Sequence, residues 1–123
     1  MRSVSTYKKL LGAQGEDFVV EYLLKQGCII LDRNWRIKEG EIDIVSQYPN
    51  GVVAFVEVKT RSSLTFGHPI EGIGIEKSMR LQRLALAWLC TNKMFGADYQ
   101  IDCAGVLAIP NRPCELDYRS AIL

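Results

Sequence analysis

Apolar and polar positions along this chain follow two periods in turn, and the switches between them mark out its elements. Over residues 10–25 the spacing is helical. Leu11, Phe18 and Tyr22 stand at i, i+7 and i+11, and Ala13, Val20 and Leu24 repeat that spacing beside them. This predicts an amphipathic helix closed by Gly27. Residues 1–8 are largely polar and are expected to be a loose, disordered lead-in. Gly12 and Gly15 each weaken the helix by about 1 kcal/mol relative to alanine, a cost that makes sense if they permit close approach to a strand or a phosphate. A short apolar run over residues 28–31 reads as a strand ended by Asp32-Arg33-Asn34. Residues 35–39 then read as a connector or short edge strand carrying Arg36 and Lys38.

Two Val/Ile/Phe-rich strands follow, over residues 40–45 and 52–61, broken apart by Tyr48-Pro49-Asn50-Gly51. Residues 61–74 form a loop with Gly67, Pro69, Gly72 and Gly74 that would cover a cleft. It contains His68, the one histidine, which reads as a loop residue and not a catalyst. A second helix runs from residue 76 to 88 or 89. Leu81, Leu84, Ala85, Trp88 and Leu89 share its inward side, and Lys77, Arg80 and Arg83 fall on another. A long strand over residues 99–109 is interrupted by Asp102, and a last edge strand is expected at 114–119 after the turn at Pro110-Asn111-Arg112-Pro113. Trp35 and Trp88 read as packing residues. The order αβββαβ(β) predicts an α/β fold, a mixed sheet flanked by helices. At 123 residues, without repeats or linkers, the chain is one domain.

The chemistry lies where polar residues enter the strands. Asp43 stands between two isoleucines, Glu57 between Val56 and Val58, and Lys59 shares a strand face with Glu57. Ionised groups among apolar neighbours are expensive unless paired, metal-bound or solvated at a cleft. Asp43 and Glu57 would hold one Mg²⁺ (or Mn²⁺), with the Val58 carbonyl and waters completing the oxygen shell, and Lys59 would act on the attacking water. The same residues would also suit a cross-strand salt bridge at a surface, which is worth little. Register separates these readings. A two-residue turn at Asn50-Gly51 pairs residues whose numbers add to 101, placing Asp43 and Glu57 on opposite faces. A three- or five-residue loop pairs numbers adding to 100, setting Asp43 against Glu57 and Glu41 against Lys59. The metal site requires the second. Glu16 would reach the same cleft from the first helix, although it also suits an ordinary exposed helix face. Glu41 is either an outer partner of Lys59 or a residue facing water.

With Asp43 followed by Glu57-Val58-Lys59, the chain resembles the Asp…(Asp/Glu)-x-Lys signature of restriction-endonuclease-like nucleases, the PD-(D/E)xK superfamily. A wider ordered set covers roughly residues 9–108: Gly15-Glu16, Gly27, Arg33-Asn34, Gly40-Glu41-Ile42-Asp43, Phe55-Val56-Glu57-Val58-Lys59-Thr60-Arg61, Phe66-Gly67 and Lys77. That set resembles the YraN-like bacterial family, which is similar to archaeal Holliday-junction resolvases. The resemblance implies the restriction-endonuclease-like fold and places Asp43, Glu57, Lys59 and Glu16 in a catalytic site. It also implies a homodimer, because two symmetric cuts need two sites related by a two-fold axis.

The net charge of +1 argues neither for nor against nucleic acid, but its distribution is uneven. Residues 1–95 hold 13 basic and 10 acidic side chains, and residues 96–123 hold 2 and 4. Three of those ten acids belong to the proposed site, so its surroundings are more basic than the total suggests. Arg61, Lys77, Arg80 and Arg83, with Arg33, Arg36 and Lys38, are candidates for phosphate contact, which gives affinity without sequence reading. Cys28, Cys90, Cys103 and Cys114 lack Cys-x-x-Cys spacing, which argues against a zinc site. Cys28, Cys90 and Cys103 sit in apolar runs and read as free, small hydrophobes. No run approaches a membrane-spanning length and the N-terminus has no apolar core for export, so a cytoplasmic, reduced protein without a membrane partner is expected. Two functions follow: a metal-dependent endonuclease acting on DNA, with branched or damaged forms as candidate substrates, or a silent nuclease-like domain that binds nucleic acid or a protein partner without cutting. Retention of Asp43, Glu57 and Lys59 together favours the first.

Overall fold

The computed structural model describes residues 4–63 and 74–123, with side chains from Thr6 onward. The expected cover over the cleft, with Phe66, Gly67 and His68, lies outside the described residues. Helix α1 (Val4–Lys25) leads into strands β1 (Ile29–Ile37), β2 (Gly40–Gln47) and β3 (Val53–Arg61). Helix α2 (Ile75–Thr91), β4 (Tyr99–Leu107) and β5 (Glu115–Arg119) follow. The sheet order is β1-β2-β3-β4-β5, with β3 and β4 parallel and the other neighbours antiparallel. This is the expected mixed sheet between helices. The parallel pair is the one whose connection carries a helix, as parallel pairing requires.

Each helix covers one face. The α2 residues Leu81, Leu84, Ala85, Trp88 and Leu89 pack on Ile42, Val45, Val53, Phe55 and Ile101. On the other face Val19 and Leu23 of α1 pack on Ile44, Ala54, Val56, Ala104 and Val106. The inward side of α2 is the one its spacing predicts. That of α1 is not. Its buried line is Gly15, Glu16, Val19 and Leu23, while Leu24 is 53% exposed. The reason is contact distance: a Cβ at Gly15 would lie 1.9 Å from Thr60 Oγ1 on β3, so the helix touches the sheet where glycine lets its backbone come close. The helix begins at Val4, before residue 10 where the apolar spacing sets in.

The expected short strand and connector are one nine-residue strand, β1. A bulge between Ile30 and Asp32 and a left-handed Asn34 at φ 52° absorb the polar stretch that reads as a break in the sequence. Between β2 and β3 the residue numbers pair to 100, from Ile44 with Val56 to Gln47 with Val53. The hairpin achieves this with a three-residue loop. Tyr48 N–H donates to the Val52 carbonyl at 2.9 Å, Gly51 N–H donates to the Tyr48 carbonyl at 2.8 Å, and Gly51 takes φ 92°. The Asn50 side chain accepts from Val52 N–H at 3.0 Å.

Candidate functional site

The alternation of β2 breaks at Asp43. Ile42 and Ile44 are two residues apart and should share a face, yet Ile42 packs under α2 and Ile44 under α1. The β1 register stays constant on either side, with Arg33 opposite Ile44 and Trp35 opposite Ile42, so Asn34 lies opposite Asp43. Both strands change face at this rung. Asparagine tolerates the left-handed conformation, and its amide donates to Glu16 Oε1 at 3.0 Å. Arg33 Nε donates to the same oxygen at 3.0 Å, and its guanidinium also bonds Asp17 at 2.7 Å. Glu16 is 8% exposed. Its observed work is to clamp the kinked rung to α1, at the edge of the cleft where Asp43 lies.

Beyond Ile44 the β2–β3 ladder ends, and the two strands fork. The Asp43 carboxylate takes the place of a ladder carbonyl, accepting Val58 N–H at 2.8 Å through Oδ2. Even-numbered residues of β3 direct their backbone polar groups at β2, and odd-numbered ones at β4, as Val53 N–H to the Asp98 carbonyl shows. The Val58 carbonyl is therefore turned to the same fork as its N–H. The expected pairing of Asp43 directly with Glu57 and of Glu41 with Lys59 does not extend this far. Glu41 forms an ion pair with Arg36, whose Nε and Nη2 both donate to its Oε2.

Glu57 and Lys59 lie with Phe55 on the α2 side of β3. There Lys77 of α2 meets Glu57 Oε1 at 2.6 Å. Lys77 is thus a partner of Glu57, while Arg80 and Arg83 are exposed on the same helix. Arg61 is exposed at the end of β3 and lines the cleft. Burial and then the Glu57 carboxylate push the Asp43 carboxyl up to about 7, against the lowering effect of the Val58 N–H bond. Burial, and then the Lys77 ammonium, lower the Lys59 pKa, while Glu57 opposes them.

These groups suit a hard divalent cation held by few protein ligands. Asp43 and Glu57, with the Val58 carbonyl at the fork, are the groups that would hold such an ion, leaving the remaining positions to water. A cation between the two carboxylates would relieve their mutual repulsion, the second cause of the raised Asp43 pKa after burial. Among the described residues, no three acidic, histidine or cysteine side chains converge as a cage.

A cleft of about 1100 Å³ opens on the α1 side of the fork, and Glu16, Asp43, Val58 and Arg61 line it. Glu57 and Lys59 are not among its lining residues and approach the fork from the other face. The sequence pointed to neither the basic wall of this cleft, Lys8 and Lys9 on α1, nor the Arg33–Asn34 clamp on Glu16. The adjacent Arg33-Asn34 pair was visible as a motif, but its partner lies 17 and 18 residues back on another element. A second polar centre is separate from the fork. Asp102 is fully buried and accepts from Tyr48 Oη at 2.6 Å, Tyr118 Oη at 2.5 Å, Gln100 Nε2 at 2.8 Å and Ala121 N–H at 2.8 Å. Four donors satisfy the carboxylate and tie β4 to the β2–β3 hairpin and the C-terminal residues, which explains an aspartate inside a buried strand.

The family model described as "Uncharacterised protein family UPF0102" matches residues 15–106, three quarters of the chain, from the middle of α1 to the end of β4. The chain belongs to the UPF0102 family. A UPF0102 protein of Arthrobacter sp. (strain FB24) is 47% identical over 100 residues, covering 81% of this chain and 84% of its own. One of Nocardia farcinica is 37% identical over 115 residues, covering 94% of this chain and 90% of its own. These UPF0102 relatives agree with the family that the ordered motifs resembled. A solved structure of Pyrococcus furiosus SfsA in complex with Ca²⁺ compares with this UPF0102 chain at a TM-score of 0.40 and 16% identity, over 92% of this chain and 63% of that one. A likeness at that level bears on neither site nor function. No helix among the described residues is long and apolar enough to cross a membrane.

Proposed function

We propose that the protein is a Mg²⁺- or Mn²⁺-dependent endonuclease that hydrolyses phosphodiester bonds in DNA. The observation that carries the reading is the fork: a half-buried Asp43 anchored on Val58 N–H, with Glu57 close enough to help push its pKa up to about 7. Asp43 and Glu57 would hold the ion with the Val58 carbonyl. The ion supplies neutralisation of phosphate charge and acidification of water. Lys59, its pKa lowered by burial, would orient the attacking water or take its proton. That water would form the new P–O bond as the P–O bond to the leaving sugar oxygen breaks. Lys77 holds the Glu57 carboxylate from the α2 side. Arg61 would contact a neighbouring phosphate.

The test is Mg²⁺- or Mn²⁺-dependent cleavage of a panel of duplex, flap, junction, damaged and RNA substrates. Structure-selective cutting of branched or damaged DNA is the refinement this panel decides. Symmetric cutting of junctions would need a homodimer. A monomer by sedimentation at tens of micromolar would remove that refinement. One observation favours a second reading, a silent domain that binds without cutting. Glu57 is already neutralised by Lys77 at 2.6 Å, and metal binding must compete with that pair.

A further inference from the structure

We infer that the cleft on the α1 side of the fork docks an unpaired nucleic-acid strand, its phosphates on Lys8, Lys9 and Arg61 and a base on Tyr7. The inference rests on the nucleic-acid reading above but not on cutting. All four side chains line the cleft, and Lys8, Lys9 and Arg61 are exposed. Among the described residues, its other cations are already matched: Arg33 pairs with Glu16 and Asp17, and Arg36 with Glu41. The lysines therefore supply positive charge that the described acids lining the cleft do not answer. Tyr7 is 48% exposed beside them. An aromatic ring and cations bordering one concave groove suit a single strand, because an unpaired base offers a face to stack on. A duplex keeps its bases stacked on one another and leaves such a ring without a partner. From Tyr7 to Glu16 the α1 wall runs roughly 13 Å, at about 1.5 Å per residue, and leads to the rim of the fork. Gly12 stands on this wall, and a Cβ there would meet nothing within 4 Å among the described residues. The helix thus exposes bare backbone where a strand would lie.

The experiment measures binding of a fluorescent 12-mer oligo-dT to the full chain in EDTA, where metal-dependent cutting does not occur. Oligo-U and a blunt duplex of equal length serve as competitors. The Lys8→Ala/Lys9→Ala double variant should bind about tenfold more weakly, with the slope of log K against log salt flattened by about 1.4, near 0.7 per lost phosphate contact. Tyr7→Ala should lose about tenfold and Tyr7→Phe should restore binding. Gly12→Leu should weaken binding at least tenfold while leaving the Tm unchanged or higher, since its side chain enters open space. Lys25→Ala, exposed at the far end of α1 and outside the cleft lining, controls for loss of charge alone. Either ranking of oligo-dT and oligo-U supports the inference and names the sugar. Variants within twofold of the wild type, or a duplex that competes as well as the single strands, overturn it. That failure would leave the nuclease reading standing. Conversely, a protein that cuts nothing but shows these losses would keep the cleft and lose the nuclease.

Discussion

Asp43 carries an energetic cost that pH and metal should both reveal. Its folded pKa is pushed up to about 7, well above the ordinary 3.8 of an aspartate. A carboxyl group raised in the fold contributes stability that is present below the unfolded value and is lost as pH rises through the folded one. In EDTA the wild-type Tm should therefore fall between about pH 4 and pH 8. Asp43→Asn should lack that component and melt higher at pH 8, by on the order of 5 °C. Saturating Mn²⁺ should raise the wild-type Tm at pH 8 by occupying the site, and should move Asp43→Asn little. Equal shifts in the two proteins would remove the metal from this site. Asn34 gives a second residue-scale test. Its left-handed backbone and its bond to Glu16 hold the rung opposite Asp43. Asn34→Leu should cost about 1–3 kcal/mol through backbone strain, while Asn34→Gly keeps the conformation and loses only the amide bond. Denaturant melts of the pair give the difference. At this scale the sequence showed which groups carry charge inside apolar strands, and Asp43, Glu57 and Lys59 were legible for that reason. The partners were not. Lys77 on Glu57 and Arg36 on Glu41 depend on how strands and helices are placed, and spacing along the chain does not encode that.

Helix α1 shows why glycines with the same propensity differ in role. A Cβ at Gly15 would clash with Thr60 at 1.9 Å, whereas one at Gly12 would meet nothing within 4 Å. Gly15→Ala should destabilise the protein by about 1–3 kcal/mol, since α1 must lift from β3. Gly12→Ala should stabilise it by up to about 1 kcal/mol through helix propensity. Denaturant midpoints for the two variants should move in opposite directions, and movement in the same direction would refute the packing of α1 on β3. The contrast also explains what was misread. Leu24 and Ala13 fit a helical stripe, but the stripe that packs is the one containing the glycine that permits contact. For α2 no such exception exists, and the side that its apolar spacing selects is the side that is buried. In β1 the polar Asp32-Arg33-Asn34 stretch reads as a strand end, because a bulge and a left-handed asparagine leave no mark in the apolar pattern. For β2 and β3 the two possible registers could be written from the sequence. The choice between them came from the three-residue loop closed by Gly51.

At the scale of the molecule, the sheet divides the labour between its faces. One face brings Glu57, Lys59 and Lys77 to the fork, and the other brings Glu16, Asp43 and a cleft lined with cations. The order of elements made this layout legible, because a helix between two strands implies a parallel pair and helices before and after it can cover both faces. The activity is decided by cleavage of the substrate panel in Mn²⁺ or Mg²⁺ by the wild type, Glu57→Gln and Lys59→Ala, with binding followed in EDTA. Our account predicts metal-dependent cutting by the wild type and loss of at least a hundredfold in both variants, with folding intact and binding by Glu57→Gln unchanged or tighter, since a negative charge near the phosphates has gone. A wild-type protein that binds nucleic acid, cuts nothing with any divalent ion and behaves the same with Lys59 replaced would contradict it.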